Sequence, residues 1–142
     1  MNLDTDNKNK GKNVMIEEQI LRGQEEGVDV SIYNKSCFNW VQMKEIRWGL
    51  MQGLDVSVYA KPEYSAEQME EIRLGLSSPD FVRLYANSAF TWRQMHEIRL
   101  GCEHGINDVE LYAKPEISAD EMERIRKRFE DEEGCNIFKH HL

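Results

Sequence analysis

Phe38-Asn39-Trp40-Val41-Gln42-Met43-Lys44-Glu45-Ile46-Arg47-Trp48-Gly49-Leu50 returns as Phe90-Thr91-Trp92-Arg93-Gln94-Met95-His96-Glu97-Ile98-Arg99-Leu100-Gly101-Cys102, and that return decides the fold. Between the two, Tyr64-Ser65-Ala66-Glu67-Gln68-Met69-Glu70-Glu71-Ile72-Arg73-Leu74-Gly75-Leu76 writes the same phrase again. Gly23, Gly49, Gly75 and Gly101 recur every 26 residues, and Tyr33, Tyr59, Tyr85 and Tyr112 follow at intervals of 26, 26 and 27. Self-similarity at this period means stacked supersecondary units, none of which buries its apolar face alone.

The phrase itself reads as a helix with its start signals attached. Asn13, Asn39, Ser65, Thr91 and Ser118 stand at the five starts, and each has a side-chain oxygen suited to accept an orphaned backbone N–H. Gln42, Gln68, Gln94 and Glu121 follow three residues on, completing a capping box. Phe38, Tyr64, Phe90 and Ile117 precede the caps and pair with Met43, Met69, Met95 and Met122 as hydrophobic staples. The first copy departs, with Lys12, Ile16 and Glu17 at these places, as suits the end of an array. Apolar residues at i, i+3 and i+7 (Met43, Ile46, Leu50 and their counterparts) make the stripe of an amphipathic helix.

Gly27, Gly53 and Gly105 stand where a left-handed residue stops each long helix after about 13 residues. Asp29, Asp55 and Asp108 then open a shorter element, read as a one- to two-turn helix closed in two copies by Pro62 and Pro115. The third copy has Pro79 at the glycine stop and predicts a different turn there; the fourth carries one extra residue near Asn107. The expected architecture is all-α: an α-solenoid of five helix–short-helix repeats, with a solvated tail over 1–12, one repeat domain over 13–134 and a tail over 135–142.

Composition narrows the function. A net charge of −8 over 142 residues argues against binding the phosphate backbone directly, which needs lysine and arginine. It favours a protein partner, including a basic nucleic-acid-binding one. Three cysteines, Cys37, Cys102 and Cys135, form no paired framework and predict a reducing, cytoplasmic setting. No run approaches the ~20 apolar residues of a membrane span, and the amino-terminal residues lack the apolar core of a secretory signal.

The repeated positions read mainly as scaffold, so candidate function lies where the copies differ or where polar residues recur. Trp40 and Trp92 occupy the first helical position, where other copies have Val14, Ala66 and Ala119, and are the candidate partner anchors. Arg47, Arg73, Arg99 and Arg126 form a ladder beside the apolar stripe. As structure, each arginine is expected to pair with an acid of the adjacent short helix, such as Asp55, or to stack on a tyrosine. As function, the row would grip an acidic ligand. The close of the chain, Glu130-Asp131-Glu132-Glu133, is either a solvated face or an imitation of a phosphate backbone.

No catalytic set stands out. His96 and His104 flank Cys102 without the paired spacing of a zinc site. There is no phosphate-cradling glycine loop and no nucleophile elbow. A non-enzymatic protein without cofactor or metal is expected.

Gln68 to Leu76, together with Leu54-Asp55-Val56-Ser57-Val58-Tyr59-Ala60-Lys61-Pro62-Glu63, resembles a short helical repeat of about 26 residues found in bacterial proteins and their mobile elements. The resemblance covers the chain from about Asn13 to Phe129 and implies a fold, not an activity. Its mobile-element setting implies host–parasite roles. Two functional readings follow: a helical-repeat module that binds a partner protein, and a small acidic inhibitor that blocks a host defence nuclease by mimicking nucleic acid.

Overall fold

In a computed structural model, residues 3–140 are described, with side chains described for residue 11 and residues 13–132. The described residues form six α-helices and three short 3-10 turns, with no strand among them. The helices are α1 (Leu3–Glu26), α2 (Trp40–Met51), α3 (Ala66–Gly75), α4 (Pro79–Val82), α5 (Trp92–Glu103) and α6 (Ala119–His140). The chain divides into two compact units, Met1–Arg73 and Leu74–Leu142.

The start signals act as their chemistry dictates. Asn39 and Thr91 cap α2 and α5, and Gln42 and Gln94 close reciprocal capping boxes. Ser65 and Gln68 exchange the same two bonds at 2.8 and 3.1 Å. The staple residues Phe38, Met43, Phe90 and Met95 are all buried. Asn13 is the exception: α1 begins well before it. With Ile16 at the box position and charge at the staple, nothing there ends the helix on its amino-terminal side.

The long helices stop at glycine. Gly53 has φ +71, and Leu54 N–H returns to the Gly49 carbonyl at 2.9 Å while Gly53 N–H reaches Leu50 at 3.1 Å. This is a Schellman close; Gly27 and Gly105, both at φ 76, repeat it.

The short elements are slighter than expected. Val30–Ile32, Val56–Val58 and Val109–Leu111 are single 3-10 turns, because each carbonyl is claimed three residues on. Asp29 and Asp55 cap two of them through Ser31 and Ser57. In the third copy Pro79 opens α4, a turn of true α-helix with Ser78 as its cap residue. The fifth copy has no short element: α6 runs on to His140, because Arg128 and Glu132 stand where the others place their two glycines.

The core of each unit is built on tyrosine. Tyr33 and Tyr59 in one unit, Tyr85 and Tyr112 in the other, are fully buried. Tyr33 Oη donates to the Gln19 carbonyl at 2.6 Å, and Tyr59 Oη to that of Glu45 at 2.6 Å. A Cβ at Gly49 would overlap Tyr59 Oη and stand 2.6 Å from Val56 Cγ1. Thus this glycine is a notch for a tyrosine. Tyr112 sits against Gly101 in the same way, but its Oη has no hydrogen-bond partner among the described residues. The extra residue of that copy precedes it, and Phe129 stacks on its ring with centroids 6.3 Å apart.

Candidate functional site: the cleft between α5 and α6

The arginine ladder is inside. Arg47, Arg73, Arg99 and Arg126 are all buried. Arg73 Nε donates to Glu45 at 2.8 Å, and Arg126 Nε to Glu97 at 2.9 Å. Arg47 Nε donates to Gln19 at 3.0 Å, while its Nη1 reaches Glu26 at 2.5 Å. Arg99 Nη1 donates to Glu103 at 2.7 Å and its Nη2 lies 3.3 Å from His96 Nδ1. For Arg47, Arg73 and Arg126 these partners are not the expected Asp55 or a tyrosine. Arg47, Arg73 and Arg126 reach back to the preceding long helix, because a residue beside the apolar stripe faces its neighbour there, not the short turn. Losing one acid of such a pair strands a buried guanidinium, at about 3–5 kcal/mol.

A second tie joins neighbouring copies. Gln94 Oε1 accepts from the Thr91 N–H while its Nε2 donates to the Ile117 and Pro115 carbonyls at 2.7 and 2.9 Å. Gln42 does the same toward Tyr64 at 2.7 Å. The capping glutamine therefore works at both ends of its amide, which glutamate cannot do.

The acidic close is split by its surroundings. Glu130 is half-buried and accepts from Arg126 Nη1 at 2.9 Å, with His104 Nδ1 at 2.5 Å. Burial would raise its pKa, but the His104 and Arg126 hydrogen bonds outweigh that and hold the carboxyl below its usual range. Asp131 and Glu132 are exposed, and the Glu133 side chain lies outside the described residues.

The tryptophans differ as well. Trp40 is half-buried, and Lys44, one turn on, lies with Nζ 5.5 Å from its ring centroid and 4.9 Å from that of Trp48. Arg73 covers Trp48 at 5.3 Å. Trp92 holds the same place in α5 but has His96 at the Lys44 position and Leu100 at the Trp48 position. It is 41% exposed, with only the neighbouring Arg93 over it at 5.3 Å.

Trp92 lines a cleft of about 250 Å³ between the first turns of α5 and α6. Arg93, His96 and Glu97 come from α5; Ala119, Asp120 and Glu123 come from α6. Ala119, at the first position of α6 where α2 and α5 carry Trp40 and Trp92, lines it with only a methyl group. Glu97 is held by Arg126, and Glu123 accepts from Lys127 at 2.9 Å, a bond that pulls its pKa down. Asp120 makes no ion pair among the described residues.

Sequence reasoning named Trp92 as a candidate partner anchor and missed that Asp120 and Glu123 share its cleft. The signal that locates them is the register of the repeat, which sets the first turn of each copy beside that of the next. Cys102 is buried and His104 points to Glu130, so the Cys-x-His pair does not converge. No group of three or more His, Cys, Asp or Glu residues able to hold a metal ion occurs among the described residues. None of the described helices is long and apolar enough to cross a membrane. Comparison with protein-family models, with curated proteins and with solved structures found no match.

Proposed function

We propose that the five copies form one α-solenoid that acts without catalysis, by binding a partner protein at the α5–α6 cleft. The carrying observation is the contrast between two tryptophans at one repeat position. Trp40 is covered by Lys44, whereas Trp92 stands exposed over a cleft. A large aromatic ring at the rim of a pocket is the usual anchor of a protein–protein contact. The ties from Gln42 and Gln94 to the next copy, and from Arg47, Arg73 and Arg126 to the preceding one, support the stacked array. A cytoplasmic setting belongs to the same proposal, supported by the free thiols of Cys37 and Cys102.

Affinity capture from the native host with Trp92→Ala and Trp40→Ala baits, read by mass spectrometry, tests it. Loss of the same captured protein with Trp92→Ala, at unchanged thermal melting, is the expected result. A partner retained by Trp92→Ala would remove the cleft from consideration.

The nuclease-inhibitor reading keeps one specific support, the adjacent exposed carboxylates Asp131 and Glu132. It requires affinity that falls steeply with salt and is lost on Asp131→Lys with Glu132→Lys. Salt-insensitive binding would end it.

A further inference from the structure

The chemistry of the cleft narrows the class of partner. The Trp92 ring already carries a guanidinium, since Arg93 Cζ lies 5.3 Å from its centroid. Arg93 and Trp92 are both exposed, so this contact is weak and open to exchange. Facing the ring, α6 presents Asp120 and Glu123. Asp120 has no counter-ion among the described residues, and Glu123 has only exposed Lys127 in an i,i+4 pair. Exposed pairs of this kind are weak, so both carboxylates are available to a stronger partner. Glu97 is not, because buried Arg126 holds it. A volume of about 250 Å³ suits one long side chain.

Resting on the reading of this cleft as the partner surface, we propose that it receives an arginine of a basic partner segment. Its guanidinium stacks on Trp92 in place of Arg93 while Asp120 and Glu123 accept its N–H groups. Arginine is selected over lysine because a planar, weakly hydrated fork both stacks on an indole and bonds carboxylates in pairs. The net charge of −8 draws such a segment in.

Fluorescence anisotropy with a labelled glycine–arginine repeat peptide tests the assignment, using its lysine and citrulline counterparts as controls. The arginine peptide binds, the lysine peptide binds more weakly and the citrulline peptide does not bind. Asp120→Asn with Glu123→Gln weakens binding by at least about tenfold, and Trp92→Ala does the same. Asp131→Asn with Glu132→Gln, an equal loss of charge elsewhere on α6, leaves it within about twofold. Arg93→Gln tightens binding by vacating the ring, which keeps the test decisive if Trp92→Ala fails to fold. Equal weakening by both acid pairs, or no binding of the arginine peptide, would overturn the assignment. A host partner lost on Trp92→Ala, with no arginine peptide bound, would overturn only the arginine assignment. Peptide binding beside a partner indifferent to Trp92 would instead overturn the partner surface.

Discussion

Tyr59 Oη occupies the space that a Cβ on Gly49 would take, and from there donates to the Glu45 carbonyl at 2.6 Å. The hydroxyl thus reaches the backbone of α2 through a gap that only glycine leaves. A mid-helix glycine costs about 1 kcal/mol against alanine. The chain accepts that at Gly23, Gly49 and Gly101, and closes α3 on Gly75, because each of the four notches seats a buried tyrosine.

Gly49→Ala is therefore expected to destabilise the protein by about 1–3 kcal/mol, although alanine is the better helix former. Tyr59→Phe alone costs about 1 kcal/mol by losing the hydroxyl bond. Combined, the two changes cost less than their sum, since removing Oη vacates the place the methyl needs. A double-mutant cycle by urea denaturation measures this coupling; additive effects would show that the notch is not what glycine supplies.

Gln94→Glu keeps the acceptor that closes the capping box and removes the donor to Ile117 and Pro115. It sets a carboxylate against two carbonyls and is expected to cost about 1–3 kcal/mol. The fifth copy already carries glutamate at this position, Glu121, which accepts from Arg124 Nε at 3.0 Å. Glu121→Gln should therefore change the melting temperature by less than a degree or so. Comparable losses at both positions would refute the tie between copies.

Burial raises the phenol pKa of Tyr33, Tyr59 and Tyr112, and lifts the Cys102 thiol to about 11. These groups hold their protons longer folded than unfolded, where thiol and phenol release near 8.5 and 10. Their contribution to stability is complete below those values and declines as pH rises above them, by up to about 1.4 kcal/mol per pH unit for each group. Melting temperature should fall from about pH 9 upward, and tyrosinate absorbance should rise together with loss of helix. The same burial leaves Cys102 unreactive toward iodoacetamide in the native state while exposed Cys37 is labelled. Gradual ionisation near 10 in a still-helical protein would contradict this.

The arginine tie has a direction, and its ends are marked. Leu21 stands in the first copy where the donors Arg47, Arg73 and Arg126 stand later, and is 58% exposed. Arg124 stands in the fifth copy where Glu45 and Glu97 accept, and pairs instead with Glu121. In the proposed stacked array these are the two outer copies, and two molecules meeting there lack both halves of the tie. Leu21→Arg combined with Arg124→Glu should make the ends complementary and produce concentration-dependent association in sedimentation velocity. Unchanged sedimentation would show that this tie does not control end-to-end contact.

The caps at Asn39, Ser65 and Thr91 and the glycine stops were legible because each works within a few residues of itself. So was the different turn at Pro79. The end of α6 was not legible in the period: Arg128 and Glu132 replace the two glycines, yet the repeat argues for a fifth short helix that does not form. The start of α1 ahead of Asn13 escaped for the same reason, since a degraded signal was read as an intact one.

The amino-acid sequence by itself determined what is local: an all-α chain, its period, where helices are capped and stopped, and which faces are apolar. Only the tertiary structure decided what side chains meet across copies. It turned Arg73 toward Glu45 instead of Asp55, gave the amide of Gln94 a second partner, and seated Tyr59 in the notch of Gly49. It also separated Trp92 from Trp40, one open over a cleft and the other covered. A 26-residue period specifies that copies pack, but the partner of each long side chain depends on the angle and register at which they do.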